Sequence, residues 1–474
     1  MPFALDAFAE AAIECARLSV GEPLRLLSHY PLDEKTLRTL LCDSLALSDI
    51  QGCDDLSALN SLDGNVILFA EQLLRAPAKT RHLLDKLKNR QLNANIILVA
   101  THEQDEQLAY RFAHFLPLIP LSVNLPYEIT TSQLSSFVAW VNFTAVQIGV
   151  SLTREAHAEI ATMACRMSEE NDKLSLNPVW LKQLLVLSQG LAGTEIDKPH
   201  VQRARQLNRQ RLQRVPEESY RQFSQGIVTL DTHGQKIGQL NGLTVLELDD
   251  IEYGEPSRIT ATVFYGDGDI MDIERKADLG GNIHAKGMMI LSGFISSLFA
   301  QNHPLHLSAS IVFEQSYHEV DGDSASLAEL CCLLSSMGKV PLNQAIAVTG
   351  AIDQFGRVQA VGGINQKIEG FARVCEKMGW QQGQAVIIPQ SNLGNLNLSP
   401  EVVTHVAEGR LAIYAVEHAE QALALLTGIE IAKRDQEGYL DNTLYGRIEM
   451  RLLALMSDEH PPTLWQRVMK LLKI

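Results

Sequence analysis

The sequence is short of the features that would send it to a membrane, to nucleic acid or to an oxidising compartment. It has no C-x-x-C pair: its seven cysteines, Cys15, Cys42, Cys53, Cys165, Cys331, Cys332 and Cys375, are scattered and odd in number. That argues against a zinc site or a disulfide framework and fits a reducing compartment. No apolar run approaches the roughly 18 residues that a membrane span requires. No charged-then-apolar leader opens the chain, because Asp6, Glu10 and Glu14 interrupt the first apolar stretch. A cytoplasmic protein without a membrane partner is the expectation. Positive charge is short as well: 40 Lys and Arg face 56 Asp and Glu, a formal charge of −16. Phosphate backbones are held by a surplus of Lys and Arg, so nucleic acid is not an expected partner. Arg203, Arg205, Arg209, Arg211 and Arg214 run the other way locally and read as a solvated helix face that pairs with acidic neighbours.

What is present is the composition of an ordinary globular protein, 46% apolar and 20% charged. A chain of 474 residues exceeds what one core usually holds, so several domains are expected. Residues 1–125 alternate strand and helix patterns. PLRLLSHYP (23–31), GNVILFAEQ (64–72) and NANIILVATHE (93–103) carry short apolar runs, with helical stretches over 35–47 and 79–92 between them. That alternation predicts a parallel α/β sheet. Residues 126–219 turn helical throughout, with Leu134, Phe137, Val138 and Val141, then Leu181, Leu184 and Leu185, on helix faces. Pro216 follows the last of these patterns and sets a boundary near residue 220. A strand-like pattern at 226–238 then opens a mixed region over 220–430, with a helix over 326–337, a strand over 344–350, a helix over 365–378 and strands over 384–389 and 411–415. A helical tail over 431–474 closes the chain.

The sharpest chemical signal is VDGDSASLAELCCLLSSMG (320–338). Ser326 and Glu329 stand at capping-box spacing, which predicts a helix from about Ser326 to Gly338. Ser324 then sits on an Asp-Gly-Asp turn just before a helix N-terminus, where outward N–H groups and the dipole favour negative charge. A hydroxyl there is placed to attack a carbonyl while nearby amides hold the oxyanion. A serine so placed is in most cases only a cap, and a nucleophile also needs a base. His303, His306 and His318 are the nearest histidines, with no evident orienting carboxylate. GGINQKIEGFARVCEKMG (362–379) offers a lysine instead. Gly362-Gly363 turns the chain into a helix with Ile364, Ile368, Phe371 and Cys375 as its apolar stripe, and Lys367 lies in the first turn, where the positive helix end disfavours its charge. Ser-Lys pairs follow the triad logic.

Taken together, Ser324 in DGDSAS, Thr349 in AVTGAID and Lys367 in GGINQK resemble the proteolytic domain of the Lon family in order and spacing, 25 residues from serine to threonine and 43 from serine to lysine. The segments NGLTVLELDDIEYGEPSRITATV, KGMMILSGFISSLF and SIVFEQSYHEVDGD are similar too, most of all to the B-type branch, where Asp rather than Pro precedes the serine. The resemblance covers about 220–425. It implies an α+β proteolytic domain in which Ser324 is acylated, Lys367 is its base and Thr349 hydrogen-bonds the lysine amine. Asp323 flanks the site without an assigned role. Ala351 follows Thr349-Gly350 where many relatives carry an acid, so no acidic contact to the lysine is expected from this strand.

The resemblance also implies an AAA+ ATPase ahead of that domain, an α/β sheet followed by a helical lid, and here the expected motifs are damaged. In place of G-x-x-x-x-G-K-[ST] the chain has His29-Tyr-Pro-Leu-Asp-Glu34-Lys35-Thr36. The Lys-Thr pair survives, whereas the glycines that let backbone amides wrap phosphate are gone. Ala70 replaces the magnesium-binding aspartate and Glu71 keeps the position of the water-activating residue. The module reads as a degenerate AAA+ relic with remnants at Lys35, Thr36 and Glu71. No cofactor and no metal are expected, ATP with Mg²⁺ being the group such an ancestry would imply. The expected protein is a hexameric ring that degrades unfolded proteins or peptides without ATP-driven unfolding. Alternatives are a Lon-like scaffold without activity, an ATP-dependent Lon-type protease, and an adaptor that binds unfolded chains through its front half.

Overall fold

The structure, a computed structural model, describes residues 23–31, 50–53, 56, 64–92, 94–112, 114–248, 251–277, 279–300, 305–316, 321–434 and 438–458. The chain divides into two compact units, 1–209 and 210–474. Among the described residues no helix is long and apolar enough to cross a membrane.

In the first unit, strands β1 (Leu24–Ser28), β2 (Ile50–Gly52), β3 (Gly64–Phe69), β4 (Ala94–Thr101) and β5 (Leu121–Asn124) form one sheet in the order β2-β3-β4-β1-β5. Every pairing is parallel. Parallel strands are covered on both faces, which is why Val66, Ile67 and Leu68, and Ile96 through Ala100, are continuous apolar runs with no exposed alternate position. Helices α1 (Ala70–Arg75), α2 (Pro77–Lys88) and α3 (His102–Arg111) supply the crossovers. Pro77 opens α2 at a position where its missing N–H costs nothing. Thr101 ends β4 and caps α3, its hydroxyl accepting from the N–H of Gln104. The helix expected over 35–47 lies outside the described residues. Beyond the sheet, α4 (Leu134–Gln147), α5 (Arg154–Met167), α6 (Pro178–Ala192) and α7 (Lys198–Leu212) enclose a core that includes Phe137, Trp140, Val141, Ile160, Leu181 and Leu185. Arg205 of α7 lies 4.0 Å from Glu159, as an acid-paired helix face requires.

In the second unit α8 (Arg214–Ser224) comes directly after α7, so Pro216 follows one helix, as expected, and sits in the first turn of the next. It is tolerated there for the same reason as Pro77. The expected strand over 226–238 is reduced to Gln235–Lys236, because this segment runs as turns past Gly226 and Gly234, both in the left-handed region. A seven-stranded sheet follows, built from β6 (Gln239–Leu248), β7 (Ile251–Tyr265), β8 (Ile270–Asp272), β9 (Leu307–Glu314), β10 (Ile346–Val348), β11 (Ala385–Pro389) and β12 (Ala412–Val416), in the order β8-β9-β7-β6-β10-β11-β12. Strand β7 is antiparallel to both of its neighbours, β9 and β6, whereas β6, β10, β11 and β12 run parallel.

Two helices use opposite faces of that sheet. α11 (Ser326–Gly338) is buried almost throughout and packs with Ile346, Val348 and Ile387. α12 (Ile364–Met378) packs Ile364, Ile368, Phe371 and Cys375 against Ala347, Val386 and Ile388. Neighbouring residues of one strand point to opposite faces, so this division puts a helix on each side. α10 (Asn282–Phe299) and α13 (Ala419–Thr427) join the α11 side. The stretch expected as a separate tail contributes to the same core: Leu444, Tyr445 and Ile448 of α14 (Leu444–Asp458) are fully buried, and Arg451 donates to the last carbonyls of α11, Ser336 and Met337, at 2.8 Å each.

Candidate active site

Ser324 lies half-buried on the turn before α11. Gly322, at φ +94°, takes a backbone conformation that a side chain resists, and this bend carries the chain into the helix. The helix begins where the spacing predicts, but not through a capping box. Its N-cap is Ala325, without a side-chain bond, and Ser326 Oγ accepts instead from the N–H of Ile352 at 3.1 Å. Glu329 cannot reach back because it is turned into the core, 1% exposed. The first amides of α11 are also committed, Ser326 N–H to the carbonyl of Asp323 (3.0 Å) and Leu327 N–H to that of Gly350 (3.1 Å).

Lys367 comes from the other face of the sheet. Gly363 (φ +65°) is the left-handed N-cap of α12, and the Lys367 N–H donates to its carbonyl at 3.0 Å, closing the first turn. The residue is 3% exposed, and its Nζ donates to Ser324 Oγ at 2.9 Å. Helix and strand approach closely to make this possible. A Cβ on Gly254 of β7 would overlap the carbonyl of Gln366 and stand 2.7 Å from Cα of Lys367. Tyr220 of α8 fixes that point of β7 by donating its hydroxyl to the Gly254 carbonyl at 2.9 Å.

Thr349 is fully buried just past β10, and its hydroxyl donates to the carbonyl of Ser324 at 3.2 Å. The same carbonyl accepts the N–H of Gly350 at 2.8 Å. Thr349 thus braces the backbone of the serine. Asp323 packs its Cβ toward Gly287 of α10 and gives its carbonyl to Ser326. Ala351 is buried in a two-residue strand. A cleft of about 290 Å³ opens beside Ser324, its wall including Thr244, Leu246, Pro256, Arg258 and Glu314. The buried thiols of Cys331, Cys332 and Cys375 are all pushed up by burial, which leaves them as packing groups.

The remaining expected site residues fall elsewhere. Lys35 and Thr36 lie outside the described residues, as do His303 and His318. Glu71 is exposed in the first turn of α1 and pairs with Arg75 one turn on, while Ala70 is fully buried. Among the described residues, no group of three or more His, Cys, Asp or Glu is arranged to hold a metal ion.

One constellation escaped the sequence. His284 of α10 lies between Asp272 (Nε2 to Oδ2, 3.2 Å) and Glu329 (Nδ1 to Oε1, 3.9 Å), with the carboxyl of Glu274 nearby, all of them buried. Two signals were available: a histidine on the apolar stripe of Met288, Leu291 and Ile295, and an acid inside the apolar run of α11. Neither named the other as partner.

Residues 309–427 match the family model described as "Lon protease (S16) C-terminal proteolytic domain". A protein of Escherichia coli (strain K12) named as a Lon protease homolog is 41% identical over 335 residues, 70% of this chain and 56% of that protein. A protein of the same name from Haemophilus influenzae is 34% identical over 391 residues, 79% of this chain and 63% of its own length. The archaeal Lon protease of Methanocaldococcus jannaschii is 30% identical over 167 residues, 33% of this chain and 24% of that protein. The chain therefore spans less than two thirds of the length of the relatives it matches.

Proposed function

The chain belongs to the Lon protease family, and from that premise we propose that it is a serine endopeptidase with Ser324 as nucleophile and Lys367 as general base. The observation that carries the reading is the 2.9 Å contact between Lys367 Nζ and Ser324 Oγ, made by a residue that is 3% exposed. An amine shut away from water at the positive end of a helix gives up its proton more readily than a solvated one. The neutral amine takes the hydroxyl proton as Ser324 Oγ attacks the scissile carbonyl. The proton then passes to the leaving amine, and Lys367 activates the water that releases the acyl group. Thr349, through the Ser324 carbonyl, keeps the hydroxyl from swinging away from the lysine. With Ser326 and Leu327 N–H groups already bonded, the oxyanion falls to amides of the turn itself.

The cleft lies between the start of β7 and the turn, and beyond Arg258 the edge of β7 runs past the end of β9. An extended, unfolded segment suits such a groove, because it can offer backbone N–H and C=O groups to a strand edge. The first unit is read as an ATPase relic, on the loss of the phosphate-wrapping glycines and on Ala70 at the place of a magnesium ligand. The residues present do not fit ATP with Mg²⁺. Degradation of unfolded chains by a homo-oligomeric ring, a hexamer by family resemblance, completes the proposal. The test is cleavage of an unfolded protein by the purified chain with and without ATP. Equal rates, abolished in Ser324→Ala, support the reading, whereas no turnover by wild type or persistence in Ser324→Ala overturns it.

A further inference from the structure

Helix α10 grips the turn that carries Ser324 at successive points along one face. At its start the N–H of Ile283 donates to Asp321 Oδ1 at 3.3 Å, and Gly281 leaves no room for a side chain against that carboxylate. Further along, a Cβ on Gly287 would stand 3.2 Å from Cβ of Asp323 and 3.9 Å from that of Ser326. Between these points His284 Nδ1 stands 3.9 Å from Oε1 of Glu329 in the first turn of α11, an ion-pair distance without a hydrogen bond.

The groups facing His284 come from each element around it. Asp272 ends β8 and caps the short helix α9 (Ile273–Lys276), whose first turn holds Glu274. Glu329 belongs to α11, and the Phe313 ring of β9 meets the imidazole edge-on at 5.9 Å. Glu274 accepts the N–H of Phe313 at 3.0 Å, and Glu314 acts on it from farther out. Carboxylates so enclosed are stable only when protons and charges are shared among them. Burial opposes the ionised Asp272, but His284 and two backbone N–H groups outweigh it and hold its carboxyl below the usual range. Burial likewise opposes a charged His284, yet Asp272 and the other acids prevail and raise it. Glu329, wholly enclosed, is pushed up by burial to about 7.

We infer that His284 is a positioning residue: through Glu329 it anchors the first turn of α11, and with the adjoining Gly287–Asp323 contact it holds the Ser324 hydroxyl in line with Lys367. Its consequence for turnover rests on the peptidase reading, but the clamp itself does not.

The experiment uses the full chain as wild type, His284→Asn, the isosteric Glu329→Gln, and Ser324→Ala. Amide hydrogen exchange over 321–325 is read beside kcat, KM and their pH dependence on an unfolded substrate. His284→Asn is expected to raise exchange of that turn about tenfold and to lower kcat about tenfold with KM little changed. Glu329→Gln is expected to raise exchange of the same turn and to change the pH dependence of kcat/KM. Ser324→Ala abolishes turnover without loosening the turn. Wild-type exchange in both His284→Asn and Glu329→Gln, or an unaltered pH profile in Glu329→Gln, overturns the inference. Should wild type show no turnover, the peptidase reading fails while exchange still decides the clamp. Should His284→Asn not fold, Glu329→Gln carries both readouts.

Discussion

Gly254 and Lys367 meet backbone to backbone, with 2.7 Å between the position of a Cβ on the glycine and Cα of the lysine. Strand β7 can therefore lie directly against the first turn of α12, and this contact sets how far the amine reaches toward Ser324. Gly254→Ala must push the helix away. The substitution should cost about 2 kcal/mol or more in stability, as overpacking does, and reduce kcat by more than the stability loss explains. Thermal unfolding and turnover on one preparation check both.

Replacing either member of the Ser324–Lys367 contact tests the chemistry directly. Ser324→Ala and Lys367→Met should each lower kcat by about a thousandfold or more while the fold is retained, since members of such a unit act together. Lys367→Met keeps the volume of the buried chain and removes only the amine. A fluorophosphonate probe, which phosphonylates an activated serine with loss of fluoride, should label wild type and neither variant.

Stability should fall as pH rises from about 4.5 toward 7. Glu329 has its carboxyl raised from 4.5 to about 7, so the unfolded chain loses this proton first and the folded state alone keeps it. That advantage is complete below the unfolded value and disappears through the folded one. His284, also raised, acts in the same direction. Glu329→Gln should flatten the decline, an effect on the order of 3 kcal/mol across that window. Melting curves at half-unit pH intervals provide the measurement.

Charge on the cleft predicts a cleavage preference. Glu255, Glu314 and Asp321 line it against Arg258. Peptides with Lys or Arg near the scissile bond should be cleaved several-fold faster than the same peptides with Glu, and the difference should shrink as salt rises. Glu314→Gln should weaken the preference. A paired peptide series at two salt concentrations tests it.

The relic reading predicts indifference to nucleotide. ATP with Mg²⁺ should leave the melting temperature and the cleavage rate unchanged, because a ligand that binds the folded state must stabilise it. Lys35→Ala should match wild type in both. ATP-stimulated cleavage lost in Lys35→Ala would sink the relic idea.

Much of the architecture was legible because it is written at short range. Three strand patterns, in 23–31, 64–72 and 93–103, alternate with helical stretches and so announce a parallel sheet. The α12 stripe of Ile364, Ile368, Phe371 and Cys375 repeats at helical spacing. Where the reading failed, a distant residue outbid a local one. Ser326 had the spacing of a capping residue, but Ile352 offered an unpaired N–H and Glu329 had an imidazole to face. Pro216 follows α7 as its position suggested, but it also lies in the first turn of a further helix, since proline suits a helix's first turn as well as its aftermath.

The sequence by itself determined which residue types and which local frames were available: a serine on a glycine-bent turn, a lysine one turn into a helix, and the order in which they follow. Only the tertiary structure decided that two helices on opposite faces of one sheet bring these side chains within a hydrogen bond, that Thr349 serves the serine's carbonyl, and that His284 has Asp272 and Glu329 as neighbours. Periodicity and capping act over a few residues and can be read along the chain. Burial and charge pairing act across 43 residues between Ser324 and Lys367, and exist only once the sheet has brought the chain back to itself.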